Sequence, residues 1–323
     1  MWVERQPAGD VNIAWYCAAS SDDGSHLIAG ASVGRLYTSE DGGVNWTERQ
    51  PAGDVDKKWR RVASDADGSH LIAGITGGRL YTSEDGGVNW TERQPAGDVD
   101  KKWHRVASDA DGSHLIAGAS GGRLYTSADY GATWTERKPA GDFDKAWNGA
   151  ASDADGSHLI AGVYDGRLYT SADGGATWTE RQPAGDFDKF WFCVASDADG
   201  SHLIAGVDVG RLYTSADGGA TWTERQPAGD NDRVWRSVAS DKDGSNLIVG
   251  IDNRTLHTSA DYGATWTEEQ PGGAAYRSWY GVGSSGTGSN LIAGASGARL
   301  YTTDDAYVAP VTAAKHLMMM GIG

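Results

Sequence analysis

Trp2, Trp46, Trp90, Trp134, Trp178, Trp222 and Trp266 follow one another at a constant step of 44 residues. Trp15, Trp59, Trp103, Trp147, Trp191, Trp235 and Trp279 keep the same step, and the two series account for all 14 tryptophans of the 323-residue chain. Leucines in HLIAG-like contexts, from Leu27 to Leu291, share the period. A fixed period of this length belongs to solenoids and propellers, whose units cannot bury their faces alone and must stack. Seven units are expected.

Each unit reads as β-structure throughout. In residues 59–94, WRRVASD, HLIAG, RLYTS and VNWTERQ are short runs separated by ADGS, ITGG and EDGG, and PAGD leads onward. Runs of about five residues punctuated by Gly, Asp, Asn and Ser are strands and tight turns, and no stretch carries a helical period. Four strands per unit fit a propeller blade. The expectation is an all-β, seven-bladed β-propeller with four antiparallel strands per blade and a 44-residue repeat.

The chain opens on a fourth strand, residues 2–6, without its first three, while the last unit has a third strand, Arg299–Thr303, and Pro310 where a tryptophan is due. Strand 2–6 should therefore complete the last blade and remove two sheet edges at once. Tyr307–Thr312 competes for that place but lacks the Trp and carries Pro310. Residues 1–305 are read as one propeller domain and 306–323 as a tail outside the repeat, ending in a Met-rich segment that is either loosely ordered or a docking peptide.

One phrase returns six times, as SEDGGVNW, SADYGATW or SADGGATW, with Asp41, Asp85, Asp129, Asp173, Asp217 and Asp261 leading to Trp46, Trp90, Trp134, Trp178, Trp222 and Trp266. An Asp in a tight turn accepts backbone N–H bonds, Gly supplies positive φ, and Ser or Thr hydroxyls bind the same turn. Trp then buries a large ring and needs one partner for its N–H. The pattern Ser-x-Asp-x-Gly-x-Thr-Trp resembles the Asp-box (BNR repeat) of sialidase-like propellers, sortilin-type receptors and photosystem II assembly factors. The resemblance implies a structural turn between third and fourth strands, away from the ligand face. The seventh version, from Thr303 to Val308, loses the second Gly and the Trp. The Arg-Ile-Pro segment expected of sialidases is absent, and Arg35, Arg79, Arg123, Arg167, Arg211 and Arg299 recur as openings of the third strand, where ion pairing is expected rather than a carboxylate clamp.

A formal charge of −16 disfavours nucleic acid as a partner. No run approaches the ~18 apolar residues of a membrane-spanning helix, and no secretory signal pattern opens the chain. Cys17 and Cys193 form no disulfide framework and are expected as buried free thiols, so a cytoplasmic setting is the default. No cofactor is expected. Asp65-Ala-Asp-Gly68 and its copies faintly suggest a calcium loop, but an Asx turn is the simpler reading. His26, His70, His114, His158 and His202 give way to Asn246 and Asn290 in later units, an exchange suited to a hydrogen-bonding role rather than to a metal ligand.

The copies differ in two places, the entry to the first strand and the turn between second and third strands. In a propeller both lie on one face, and the recurring phrase lies on the other. The varied face carries a basic sector of Lys57, Lys58, Arg60, Arg61, Lys101, Lys102, His104 and Arg105. Beside it are the aromatic residues Phe143, Tyr164, Phe187, Phe190 and Phe192, with acid at Asp165, Asp208 and Asp252. Candidate ligand contacts are Tyr16, Asn148, Tyr164, Phe190, Phe192, Arg236 and Tyr280 together with that basic set. Loops on a rigid scaffold are where binding residues sit. The expectation is a monomeric, non-enzymatic module that recognises a protein or an acidic glycan. The alternatives are a scaffold resembling photosystem II assembly factors, an engineered or freshly amplified repeat without an evolved ligand, and, last, a glycoside hydrolase.

Overall fold

The computed structural model describes residues 1–273 and 275–303. The rival strand Tyr307–Thr312, the decayed seventh phrase beyond Thr303 and the tail 306–323 lie outside the described residues. Every regular element among the described residues is a strand.

The second blade shows the plan. Trp59–Ser64, Leu71–Gly78, Leu80–Ser83 and Thr91–Arg93 pair antiparallel in chain order. Six blades are built this way. The seventh joins Trp279–Ser284, Leu291–Ala295 and Leu300–Thr303 to Trp2–Arg5, with Trp2 opposite Thr303 and Arg5 opposite Leu300. The closure expected from the sequence is therefore present. The first strands of successive blades touch one another all the way round, Trp279–Ser284 meeting Trp15–Ser20, and line a central channel.

Apolar burial between blades holds the ring. Trp59 is 2% exposed and meets the Tyr81 ring edge-on at 5.9 Å, a pairing that recurs in all but the sixth blade, where His257 replaces the Tyr. A ring burying 150–250 Å² contributes roughly 4–6 kcal/mol of transfer free energy as an upper bound. Its N–H reaches the preceding blade, as in Trp59 Nε1 to the Gly34 carbonyl at 3.1 Å and Trp235 to Gly210 at 2.9 Å. Trp103 and Trp279 repeat this bond, to Gly78 and Arg254, whereas Trp147 Nε1 is buried without a partner. The glycine ending each HLIAG run seats the next blade: a Cβ on Gly206 would lie 2.9 Å from the Trp235 Cβ and 2.7 Å from Cys193 Sγ.

The recurring phrase forms a hairpin turn that is satisfied from within. In the fourth blade Ser171 Oγ donates to Asp173 Oδ1 at 2.8 Å and accepts from the Gly175 N–H at 2.9 Å. Asp173 also accepts from Thr177 N and Oγ1 at 2.7 and 2.6 Å, and Trp178 Nε1 donates to the Gly175 carbonyl at 3.0 Å. The same contacts recur at Asp129, Asp217 and Asp261, and at Asp41 and Asp85 the side-chain amides of Asn45 and Asn89 take the place of the Thr hydroxyl. These hairpins sit on the rim that also carries the first-to-second-strand turns, since Gly174 N bonds the Ser157 carbonyl at 2.9 Å.

Candidate functional site

The site is built by a β-bulge repeated in every blade. Trp59 faces Ile75 and Arg61 faces Gly74, so Arg60 stands opposite nothing. The same slip follows Trp15, Trp103, Trp147, Trp191, Trp235 and Trp279. A bulge adds a residue to one strand only and re-aims the side chains around it. The bulged residues are Tyr16, Arg60, His104, Asn148, Phe192, Arg236 and Tyr280, a varied set on a nearly uniform scaffold. All seven gather at the end of the channel opposite the recurring hairpins.

Their contacts cross the channel. Tyr16 and Tyr280 stack at 4.3 Å with planes 6° apart. Phe192, 6% exposed, lies under three guanidinium groups: Arg60 at 5.9 Å, Arg105 at 5.1 Å and Arg236 at 5.0 Å from its ring centre. Arg60 also covers the Tyr16 ring at 5.3 Å, and Arg236 covers Tyr280 at 5.7 Å. His104 Nδ1 lies 2.9 Å from Asn148 Oδ1. Burial, reinforced by the charge of Arg60, pushes the His104 imidazole down to about 4 against the opposing hydrogen bond to Asn148.

Asp208 and Asp252 are already engaged, while Asp165 stands exposed on its turn. Asp252 bonds Arg236 at 2.8 Å and accepts from the Ser278 hydroxyl, while Asp208 lies 3.5 Å from Arg236 and accepts from Tyr164 at 3.2 Å. Burial opposes ionisation of Asp252, but the bonds from Ser278 and Arg236 outweigh it and hold the carboxyl below its ordinary value. Asp165, Val209 and Asn253 hold φ of 62°, 54° and 49° in the second-to-third-strand turns, where Gly77 and Gly121 stand in other blades.

The sequence-derived sector divides in two. Arg61 and Arg105 turn inward one residue below the bulge. Lys58 and Lys102 are exposed on the rim, with Lys57 and Lys101 half-buried beside them. Lys57 exchanges backbone bonds with Gly34, and Lys101 and Lys102 pair with Gly78 and Thr76 of the preceding blade. Phe190 pairs with Tyr164, ring centres 4.7 Å apart, and Phe143 and Phe187 are about 70% exposed on the linkers (71% and 70%).

The remaining recurrent residues have structural partners. Arg35 meets Asp54 at 2.7 Å and Asp56 at 3.1 Å, and Arg79, Arg123, Arg167 and Arg211 repeat this with their own linkers, while Arg299 pairs with Asp10 and Glu4. On the hairpin rim, His70, His114, His158 and His202 bring Nδ1 to 2.7 Å from Asp65, Asp109, Asp153 and Asp197. Each such pair and one further Asp place ligand-type atoms within 4.8 Å of one another. Asn246 donates to Asp241 in the same place at 2.5 Å, so the amide repeats the hydrogen bond of the imidazole. Cys17 and Cys193 are free, and burial pushes their thiols up to about 12 and about 11.

A search of protein-family models finds no match, and a search of curated proteins finds none either. Among solved structures the chain is similar to YCF48 from Cyanidioschyzon merolae, at TM-score 0.71 and 14% identity over 95% of this chain and 99% of that one. It is similar to YCF48 bound to D1 peptide, at TM-score 0.70 and 16% identity over 97% and 96%. It also resembles the GH74 xyloglucanase from Xanthomonas campestris, at TM-score 0.72 and 17% identity over 96% of this chain and 54% of that one. TM-scores of this size at identities of 14 to 17% show a shared β-propeller fold.

Proposed function

We propose that the chain is a non-enzymatic recognition module that binds a protein segment or an acidic glycan at the bulge-built mouth. One observation carries this reading. Seven near-identical blades place their differing side chains at one end of one channel, as cations interleaved with aromatic rings. Arg and aromatic residues are the usual anchors of a binding surface, and loops on a rigid frame supply them. The hairpin phrase, in the Asp-box reading, then serves as a joint on the far rim. That YCF48 has been solved bound to a D1 peptide supports a protein ligand and a scaffold role as the variant of this reading.

A glycoside hydrolase requires a carboxyl pair free to act as acid and base. Asp208 and Asp252 are instead tied to Arg236, Tyr164 and Ser278. Acidic-glycan and peptide arrays probed with the wild type and with Lys58→Glu/Lys102→Glu/Arg60→Glu test the reading. Selective binding that the triple variant loses is expected. Equal binding by both proteins removes the mouth from the account, and turnover of xyloglucan or sialylated substrates overturns the non-enzymatic assignment.

A further inference from the structure

Below the bulge layer the channel holds two cations that no acid answers. Arg61 Nη1 donates to the carbonyls of Tyr16 and Tyr280 at 3.1 and 2.9 Å, and its Nη2 to that of Arg236 at 3.3 Å. Arg105, 4% exposed, donates to the carbonyls of His104 and Phe192. Among the described residues neither guanidinium, nor that of Arg60 above them, lies within 4 Å of a carboxylate, whereas Arg236 has two. Arg60 Nε is buried without a hydrogen-bond partner. Beneath Arg61 and Arg105 the wall turns apolar, at Val62, Val106, Val194, Val238 and Val282.

Holding unneutralised guanidinium groups against such a wall is costly unless a counter-charge sits beside them. Burial first, then the charge of Arg60, brings Arg61 down to about 10, and burial followed by the charges of Arg61 and Arg60 lowers Arg105 well below its ordinary value. Arg61 and Arg105 share a cavity of about 160 Å³. At about 30 Å³ per water, that is room for a small oxyanion and a few waters. Guanidinium forks are matched in shape to planar and tetrahedral oxyanions.

We propose that Arg61 and Arg105 form a small-oxyanion site inside the channel, filled by a phosphate-, sulfate- or carboxylate-class anion that neutralises the ring from within. This goes beyond ligand recognition at the mouth and stands without it, because the two arginines lie beneath the residues that would meet a macromolecule.

The test is thermal melting at constant ionic strength, with chloride replaced stepwise by inorganic phosphate, sulfate or acetate. The comparison is between wild type and Arg61→Met/Arg105→Met. Wild type should gain on the order of 5 °C at a hundredfold excess over the dissociation constant. The double variant should melt at or above wild type in chloride and show no anion-specific gain, since an apolar side chain of similar volume avoids the buried charge. No gain in wild type, or an equal gain in both proteins, overturns the proposal. If the double variant does not fold, wild-type crystals soaked in selenate decide it. An anomalous peak within hydrogen-bond distance of both guanidinium groups sustains the site, and an empty channel refutes it. Failure of array binding at the mouth would leave this measurement unaffected.

Discussion

Gly286 donates its backbone N–H to the carbonyl of Asp22 at 2.8 Å, and this bond joins the last blade to the first. It completes a belt in which Asp22 bonds Ala66, Ala66 bonds Ala110, and so on through Ala154, Ala198 and Lys242 to Gly286, at 2.8 to 3.1 Å. The belt circles the channel on the hairpin rim with every N–H pointing the same way. The outer edge of the seventh blade is closed separately, by Trp2–Arg5 against Leu300–Thr303.

The two closures are separable, and that yields the first prediction. Deleting residues 1–6 removes the outer strand and the half-buried Trp2, whose Nε1 bonds Glu269 at 3.1 Å, but leaves the belt intact. The shortened chain should fold, lose on the order of 3 kcal/mol in urea titration, and self-associate through the bared edge of Leu300–Thr303 in sedimentation. Unchanged stability would mean that the N-terminal strand contributes nothing to closure.

The hairpin turns set the acid response. The hydroxyl of Thr177, then its backbone N–H and Ser171, hold the Asp173 carboxyl at about 2. Its unfolded value is about 3.9. A depressed carboxyl contributes stability that is complete above the unfolded value and disappears as pH falls through the folded one. Asp173→Asn should therefore melt below wild type at pH 6, with the gap closing between about pH 4 and pH 2. A gap of constant size across that range would show that shape alone, without charge, holds the turn.

Much of this architecture is legible in the spacing of residues. Tryptophans 44 apart announce the units, and the orphan strand at Trp2 announces the partner it must find. The recurring phrase likewise contains every donor and acceptor of its own turn. The site was less legible, because nothing in Trp59-Arg-Arg-Val62 marks which Arg leaves the ladder. That choice emerges only when Trp59 and Arg61 are matched to Ile75 and Gly74 across the sheet. A basic sector read as one surface patch is thus two layers, rim lysines and channel arginines. Likewise, Asp208 and Asp252 look like free acid in sequence, and only the ring brings Arg236 between them.

Val209 holds φ at 54°, a left-handed conformation that a β-branched residue adopts at a cost of roughly 1–2 kcal/mol. Gly77 and Gly121 occupy the same turn position at 75° and 71° without that cost. Val209→Gly should raise stability by about 1 kcal/mol in urea titration, net of the entropy that glycine adds to the unfolded chain. Gly77→Val should lower it by a similar or larger amount, although nothing lies within 4 Å of a Cβ there. If Val209→Gly destabilises, the turn is held by side-chain contacts of Val209 rather than strained by its backbone.

His104 reports on the cation cluster from inside. Its imidazole is pushed down to about 4, first by burial and next by the charge of Arg60, with Arg105 and Arg61 adding to the same effect. The unfolded value is about 6.5, so as pH falls the unfolded chain takes up this proton first. The stability that goes with a neutral His104 is complete above about pH 6.5, declines toward pH 4, and is lost below that. The total is roughly 3 kcal/mol, from 1.36 kcal/mol for each unit of difference. Histidine NMR titration should place the His104 midpoint near 4. Arg60→Met should move that midpoint up, because it removes a neighbouring charge. His104→Asn, the residue the next blade carries at Asn148, should flatten the fall in urea midpoint between pH 7 and pH 5 relative to wild type. A midpoint near 6.5 in the folded protein would show that His104 stands in water and that the arginines do not close over it.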